Sequence, residues 1–220
     1  FTVAGAFIVK YEFRNKRLGV ELGLKFLKKL VGRNVAINAV QNKVRLYEKI
    51  GFKPDFDITR YCFNKLSDFN LDKYRQPYRI IEFNDSFILF DELAKYDGQC
   101  FPADRTKLLG KWISQPQSSG FYALNSKNQI CGYAVIRKSF LGYRLEPLYA
   151  DNLEIAELMF YYAANRVEAN VPIFIDVPEN NFNAVEFAEK YKMKKIFKLT
   201  RMYSSAKPDM AIDKLFGMFE

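Results

Sequence analysis

The sequence predicts an α/β (α+β) fold of mixed sheets flanked by helices, laid out as two copies of one unit. Three observations lead there. Strand-like and helix-like segments alternate along the chain, part of the first quarter recurs near the C-terminus, and a polar, proline-containing stretch, LSDFNLDKYRQP, separates the two. The expected organisation is a first copy at 1–66, a linker at 67–77, a second copy at 78–205, and a C-terminal tail or helix at 206–220.

The elements follow in order. Residues 3–13 (VAGAFIVKYEF) are rich in β-branched and aromatic residues and predict a strand. From Val20, the stripe Val20, Leu24, Leu27 and Val31, with Lys25, Lys28 and Lys29 off it, predicts an amphipathic helix that Gly32 stops. Residues 35–40 form a short apolar strand, 43–49 a short helix ending at Gly51, and 58–63 another strand. Beyond the linker the pattern predicts a strand at 78–83, helices at 87–96 and 106–113, and a strand pair at 120–124 and 130–137. A helix at 153–167, a strand at 173–177, a helix at 183–191 and a strand at 196–203 complete it.

The repeat is visible in residues. Val35-Ala36-Ile37-Asn38 recurs as Ile173-Phe174-Ile175-Asp176, and Glu48-Lys49 falls on Glu189-Lys190 after an insertion of three residues. Upstream, Glu21-Leu22 and Val31 fall on Glu157-Leu158 and Val167, and the agreement with element order points to duplication.

Composition narrows the function classes. With 49% hydrophobic residues, 21 Phe and 14 Tyr in 220 residues, the chain can bury one large core or two modest ones. No apolar run approaches the roughly 20 residues needed to cross a bilayer, so a cytoplasmic protein without membrane contact is expected. Cys62, Cys100 and Cys131 are far apart and form no C-x-x-C; they read as reduced thiols, and no metal site is expected. The absence of histidine removes His-based general bases and Ser-His-Asp or Cys-His triads. Charge is localised: residues 1–54 hold 12 Lys/Arg against Glu12, Glu21 and Glu48, which accounts for the whole excess of +9. An anionic partner for this segment follows, either a phosphorylated cofactor or a nucleic acid.

Between the first strand and helix lies the loop Arg14, Asn15, Lys16, Arg17, Leu18 and Gly19. A basic loop entering a helix offers free backbone N–H groups and the positive end of the helix dipole, which suits a pyrophosphate. The stretch FIVKYEFRNKRLGVELGLKFLKKL (residues 7–30) resembles motif A of the GNAT acetyltransferases, a strand running into an R/Q-x-x-G-x-G/A loop and a helix. VAINAVQNKVRLYEKIGFK (residues 35–53) resembles their motif B, with Asn42 and the run LYEKIGF at matching spacing. Arg17 departs from the pattern by standing at the loop's first glycine.

The resemblance implies an acetyl-CoA-dependent N-acetyltransferase acting on a primary amine of a small molecule or protein. Backbone groups near Phe7, Ile8 and Val9 would face the acetyl and pantetheine portion, and the N–H groups of residues 14–19 the pyrophosphate. Asn42 would hydrogen-bond the pantetheine arm, besides the capping role open to any Asn at a helix start, and Tyr47 would protonate the departing thiolate. For the base that deprotonates the amine, Glu12, Asp97, Asp104 and Glu146 come into view, each reading first as a solvated or ion-paired carboxylate.

FPADRTKLLGKWI, GYRLEPLYADN and TRMYS look like the C-terminal domain of two-lobed, tandem GNAT acetyltransferases, which show D-R-x-x-L-L and G-P-L-x-A-x-[DN] there; Glu146 stands where that pattern has glycine. In such proteins the second lobe closes one side of the substrate cleft, and Asp104 and Arg105 are read as a helix cap and an ion pair, with Trp112 as core. The second copy has Ala150-Asp151-Asn152-Leu153-Glu154-Ile155 in place of the basic loop, so CoA is expected once, in the first copy. A GNAT fold has further elements before motif A, so the first copy reads as incomplete, and an open strand edge would favour a homodimer. Two other readings remain: a non-catalytic CoA or acyl-CoA binder, and a nucleic-acid binder. Against the latter, aromatics are not interleaved with the basic residues.

Overall fold

The computed structural model of the chain describes residues 2–5, 8–65, 67, 69–71, 77–83 and 89–219. It is a mixed α/β structure dividing into two compact units, one of residues 1–56, 199–207 and 220, the other of residues 57–198 and 208–219.

In the first unit, β1 (Thr2–Ala4) runs parallel to β2 (Val35–Val40), with Thr2 opposite Val35 and Ala4 opposite Ile37. The other edge of β2 pairs antiparallel with residues 199–203 of β9 (Lys194–Tyr203), from Ala36 opposite Tyr203 to Val40 opposite Leu199. The strand expected over 3–13 is therefore cut back: pairing stops at Ala4, and a 3-10 turn occupies Tyr11–Phe13. Gly5 and residues 8–10 lie outside any strand, and β-propensity without a partner makes no ladder.

Helix α1 (Leu18–Lys28) packs one position away from the expected stripe. Val20 and Val31 stand 54% and 83% exposed, whereas Leu27 and Leu30 pack against Val35, Ile37, Ala39, Phe52 and Met202. The half-buried row is Gly19, Gly23, Leu27 and Leu30. Periodicity counted on apolar side chains cannot see the two glycines on that face.

Helix α2 (Val44–Glu48) ends as its sequence requires. Gly51, at φ +97°, takes the left-handed turn, so that the N–H of Phe52 donates to the Tyr47 carbonyl at 3.1 Å. The same turn sets the Phe52 ring edge-on to Tyr47, 5.9 Å between centroids.

The second unit holds a larger sheet. β3 (Lys53–Asn64) enters it from Asp57 and pairs antiparallel with β8 (Pro172–Pro178); β8 lies parallel to the start of β7 (Gly142–Ala150). β7 then pairs antiparallel with β6 (Ile130–Ser139), β6 with β5 (Ser118–Leu124), and β5 with β4 (Arg79–Glu82). At its far end β7 leaves β8 and takes β10 (Leu215–Gly217), where a Cβ on Gly217 would stand 2.8 Å from Ile175.

Alternate residues of this sheet feed two cores. Phe121, Ala123 and Ala134 face α5 (Leu153–Ala164) and α6 (Phe182–Lys190), whose Phe160 and Phe187 are fully buried. Tyr122, Leu124 and Tyr133 face α3 (Phe90–Cys100) and α4 (Thr106–Ile113) through Leu93, Tyr96 and Leu109. The helix expected at 87–96 begins partly on residues 84–88, outside the described set, and most of the linker expected at 67–77 also lies outside it.

The three cysteines are free thiols. Burial pushes Cys100 and Cys131 up to about 12, reinforced by Asp97 and Asp151 respectively; burial also raises half-buried Cys62, opposed by Lys194. Iodoacetamide at about pH 8 is expected to label Cys62 in the native protein well before Cys100 or Cys131. Equal labelling of all three, followed by peptide mass spectrometry, would contradict this packing.

Candidate active site

β1 and β2 are parallel neighbours, so the connections leaving their carboxyl ends emerge at the same edge of the first unit's sheet. In α/β structures that edge is where ligands sit. One connection carries residues 8–17 into α1; the other is the 3-10 turn Gln41–Lys43 leading into α2.

The first connection exposes a row of backbone donors. Asn15 and Arg17 both take left-handed backbone, at φ 63° and 60°, and Arg17 occupies the N-cap of α1. The position read from sequence as a displaced glycine thus has the conformation that favours glycine, at a cost of roughly 1 kcal/mol for arginine. The Arg17 carbonyl accepts from the N–H groups of Val20 and Glu21 at 2.9 and 3.1 Å. Among the described residues, the N–H groups of Asn15, Lys16, Arg17, Leu18 and Gly19 have no acceptor. Successive free amides in alternating backbone conformations, at the start of an 11-residue helix, are the kind of donor row that can receive an anion.

The side chains frame that row. Arg14 donates from Nε to the Val9 carbonyl at 3.0 Å, and its guanidinium lies 5.7 Å from the exposed Tyr11 ring. Lys16 lies 5.7 Å from the Phe13 ring, Ile8 is 75% exposed and Val9 half-buried. Phe7, the other residue expected at the acetyl group, lies outside the described residues.

Asn42 is exposed in the turn after β2 and caps no helix, since Lys43 is the N-cap of α2; the capping role is corrected, and the side-chain amide has no partner among the described residues. Tyr47 is half-buried against the Val35, Ile37 and Phe52 cluster, and among the described residues its hydroxyl has no hydrogen-bond partner. The left-handed residues of the loop were not predictable; the basic residues and Gly19 were the only signal.

None of the four carboxylates considered as a base is free and buried. Glu12 is exposed. Asp104 accepts from the Thr106 N–H and hydroxyl at 3.0 and 2.7 Å, which pulls it below the ordinary carboxylate range. Asp97, 2% exposed, accepts two bonds from Arg105 at 2.7 and 2.6 Å and one from the Tyr133 hydroxyl. Burial, and then the Asp97 charge, hold Tyr133 well above its ordinary range; the expected ion pair of Arg105 is therefore with Asp97. Glu146 is buried between Arg137 and Arg144.

The start of α5 in the second unit is closed by its own residues. Asn152 caps α5 by accepting from the Ile155 N–H at 3.0 Å, and Asp151 accepts from Tyr96 and Lys214.

The model of the acetyltransferase (GNAT) domain family matches residues 93–217, over half of the chain. The chain belongs to the GNAT acetyltransferases. The match lies largely on the second unit, whereas the loop and turn just described lie in the first. Holothin acyltransferase of Pseudoalteromonas sp. (strain SANK 73390) is 27% identical over 208 residues, 94% of this chain and 68% of that protein. Among solved structures, an acetyltransferase-class protein of Pyrococcus horikoshii superposes with a TM-score of 0.77 at 19% identity, over 96% of this chain and 68% of the other. A tandem GNAT protein from the clavulanic acid biosynthesis pathway gives 0.62 at 9% identity, over 94% and 76%. These likenesses establish the fold of a family of acyl-transferring enzymes.

Proposed function

We propose that this GNAT chain transfers the acetyl group of acetyl-CoA to a primary amine of a small molecule or protein, with the cofactor held by the first unit. The observation that carries the reading is the run of unaccepted N–H groups at residues 15–19, at the start of α1, beside Arg14, Lys16 and Arg17. Acetyl-CoA supplies an activated thioester. The amides of 15–19 bind pyrophosphate oxygens, and the basic side chains add charge-assisted contacts. Asn42, with a free side-chain amide at the same sheet edge, hydrogen-bonds the pantetheine amides. Tyr47 gives its hydroxyl proton to the sulfur as the carbon–sulfur bond breaks. The name of the holothin acyltransferase relative favours a small-molecule acceptor. The recurrent order α1–β2–α2–β3 and α5–β8–α6–β9 supports a duplication whose second copy has lost the phosphate loop.

Calorimetric titration of acetyl-CoA and CoA tests this. One-to-one binding is expected, weakened at least about tenfold in Arg14→Ala/Arg17→Ala, as for loss of two charge-assisted contacts. Absence of binding by folded wild-type protein would overturn it. With an acceptor found from an amine panel, Tyr47→Phe is expected to lower kcat about 100-fold while leaving CoA affinity unchanged.

A further inference from the structure

On one face of the second unit's sheet, five charged side chains alternate in sign across four strands. Arg60 of β3 donates to both oxygens of Asp176 on β8 at 2.6 Å. Arg144 of β7 bridges, reaching Asp176 at 2.8 Å and Glu146 at 2.8 Å, and Arg137 of β6 closes on Glu146 at 3.0 Å. Both carboxylates are almost wholly buried, at 1% and 5% exposure, whereas the terminal arginines keep about a quarter of their surface open, 24% for Arg60 and 26% for Arg137. Burial pushes Asp176 up, but the hydrogen bonds and charges of Arg60 and Arg144 outweigh it and hold the carboxyl below its ordinary range.

Three features set this array apart from an interior salt bridge. It ends in a cation on both sides, so three guanidinium groups face two carboxylates and, among the described residues, one positive charge is uncompensated. Its donors exceed its acceptors: Nε and Nη2 of each arginine are used, while Nη1 of Arg60, Arg137 and Arg144 has no acceptor among the described residues. Finally, its centre, Arg144, serves both carboxylates, so the array is one connected chain from Arg60 to Arg137 rather than a set of separate pairs. Apolar residues of similar volume often hold such a position at lower cost.

We propose that this array is a binding subsite for a small organic ligand bearing a compact oxyanion, a carboxylate or a phosphate ester, taken by the free Nη1 groups of the open-ended arginines. Guanidinium forks suit both oxyanions, and the ion pairs fix the forks in place before a ligand arrives. The ends are backed by aromatic planes: Phe197 lies 4.6 Å from the Arg60 guanidinium and Trp112 lies 5.0 Å from that of Arg137. The proposal does not depend on acetyl-CoA binding in the first unit.

Trp112 is the sole tryptophan of the chain and donates from Nε1 to the Glu146 carbonyl at 2.8 Å, so its fluorescence reports on this site. Succinate and glycerol phosphate, each titrated at ionic strength held constant with sodium chloride, are the two probes. A saturable change with succinate alone assigns a carboxylate, and with glycerol phosphate alone a phosphate ester. Arg60→Gln and Arg137→Gln are each expected to weaken it about tenfold or more, and Arg14→Ala/Arg17→Ala to leave it unchanged. Should a glutamine variant fail to fold, phenylglyoxal modification of Arg60 and Arg137 in the wild-type protein, read by mass spectrometry, is expected to slow when the probe binds. No saturable change with either probe would overturn the proposal. So would binding indifferent to Arg60 and Arg137, or lost with Arg14 and Arg17.

Discussion

Replacing Asp97 with alanine is expected to cost about 3–5 kcal/mol of stability, because it strands a charge in the interior. The Arg105 side chain is 7% exposed and makes a two-point contact with Asp97; it also reaches the Tyr149 hydroxyl at 3.3 Å and lies over the rings of Phe101, Phe219 and Tyr149 at 4.1, 4.5 and 5.9 Å. Neither rings nor a hydroxyl replace a carboxylate, and Tyr133 loses its acceptor as well. The effect belongs to the orphaned guanidinium, so Asp97→Leu combined with Arg105→Met is expected to recover much of the loss. Urea denaturation of wild type, Asp97→Leu, Arg105→Met and the double variant completes the cycle. A loss below about 1 kcal/mol in Asp97→Ala would mean that Arg105 finds another partner or water.

Phe160→Ala is expected to cost a comparable amount, about 3–5 kcal/mol, for a different reason. The ring is 1% exposed on α5 and meets Phe63 at 5.1 Å, Phe187 at 5.1 Å and Tyr191 at 5.4 Å between centroids. Removing it opens a cavity whose aromatic walls are held by β3 on one side and by α6 and its C-cap on the other. Phe140, fully exposed at the turn between β6 and β7, is the control, and its alanine variant is expected within about 0.5 kcal/mol of wild type. Similar thermal shifts for the two variants would place Phe160 outside the core.

Most elements were legible where one local rule suffices. Residues 35–40 and 173–177 are continuous apolar runs, and they form β2 and β8. The end of α2 was legible because Gly51 can take the left-handed turn. β7 was missed because Arg144, Glu146 and Pro147 interrupt the alternation that marks a strand. The charges there are satisfied by partners on β6 and β8, far away in sequence, and no local pattern records such pairing. Of the candidate site, the basic loop and the LYEKIGF run were readable as residue types. The left-handed backbone of Asn15 and Arg17 was not.

The place of β9 bears on how the chain is made. Residues 199–203 supply the strand beside β2, so the first unit's sheet takes one of its strands from the far end of the sequence. At translation rates of about 5–20 residues per second, β2 leaves the ribosome many seconds before that strand exists. During this interval the nascent chain carries an unpaired apolar edge, Val35 to Val40, open to chaperones or to mispairing, and the sheet around β2 can be completed only after residues 199–203 have been made.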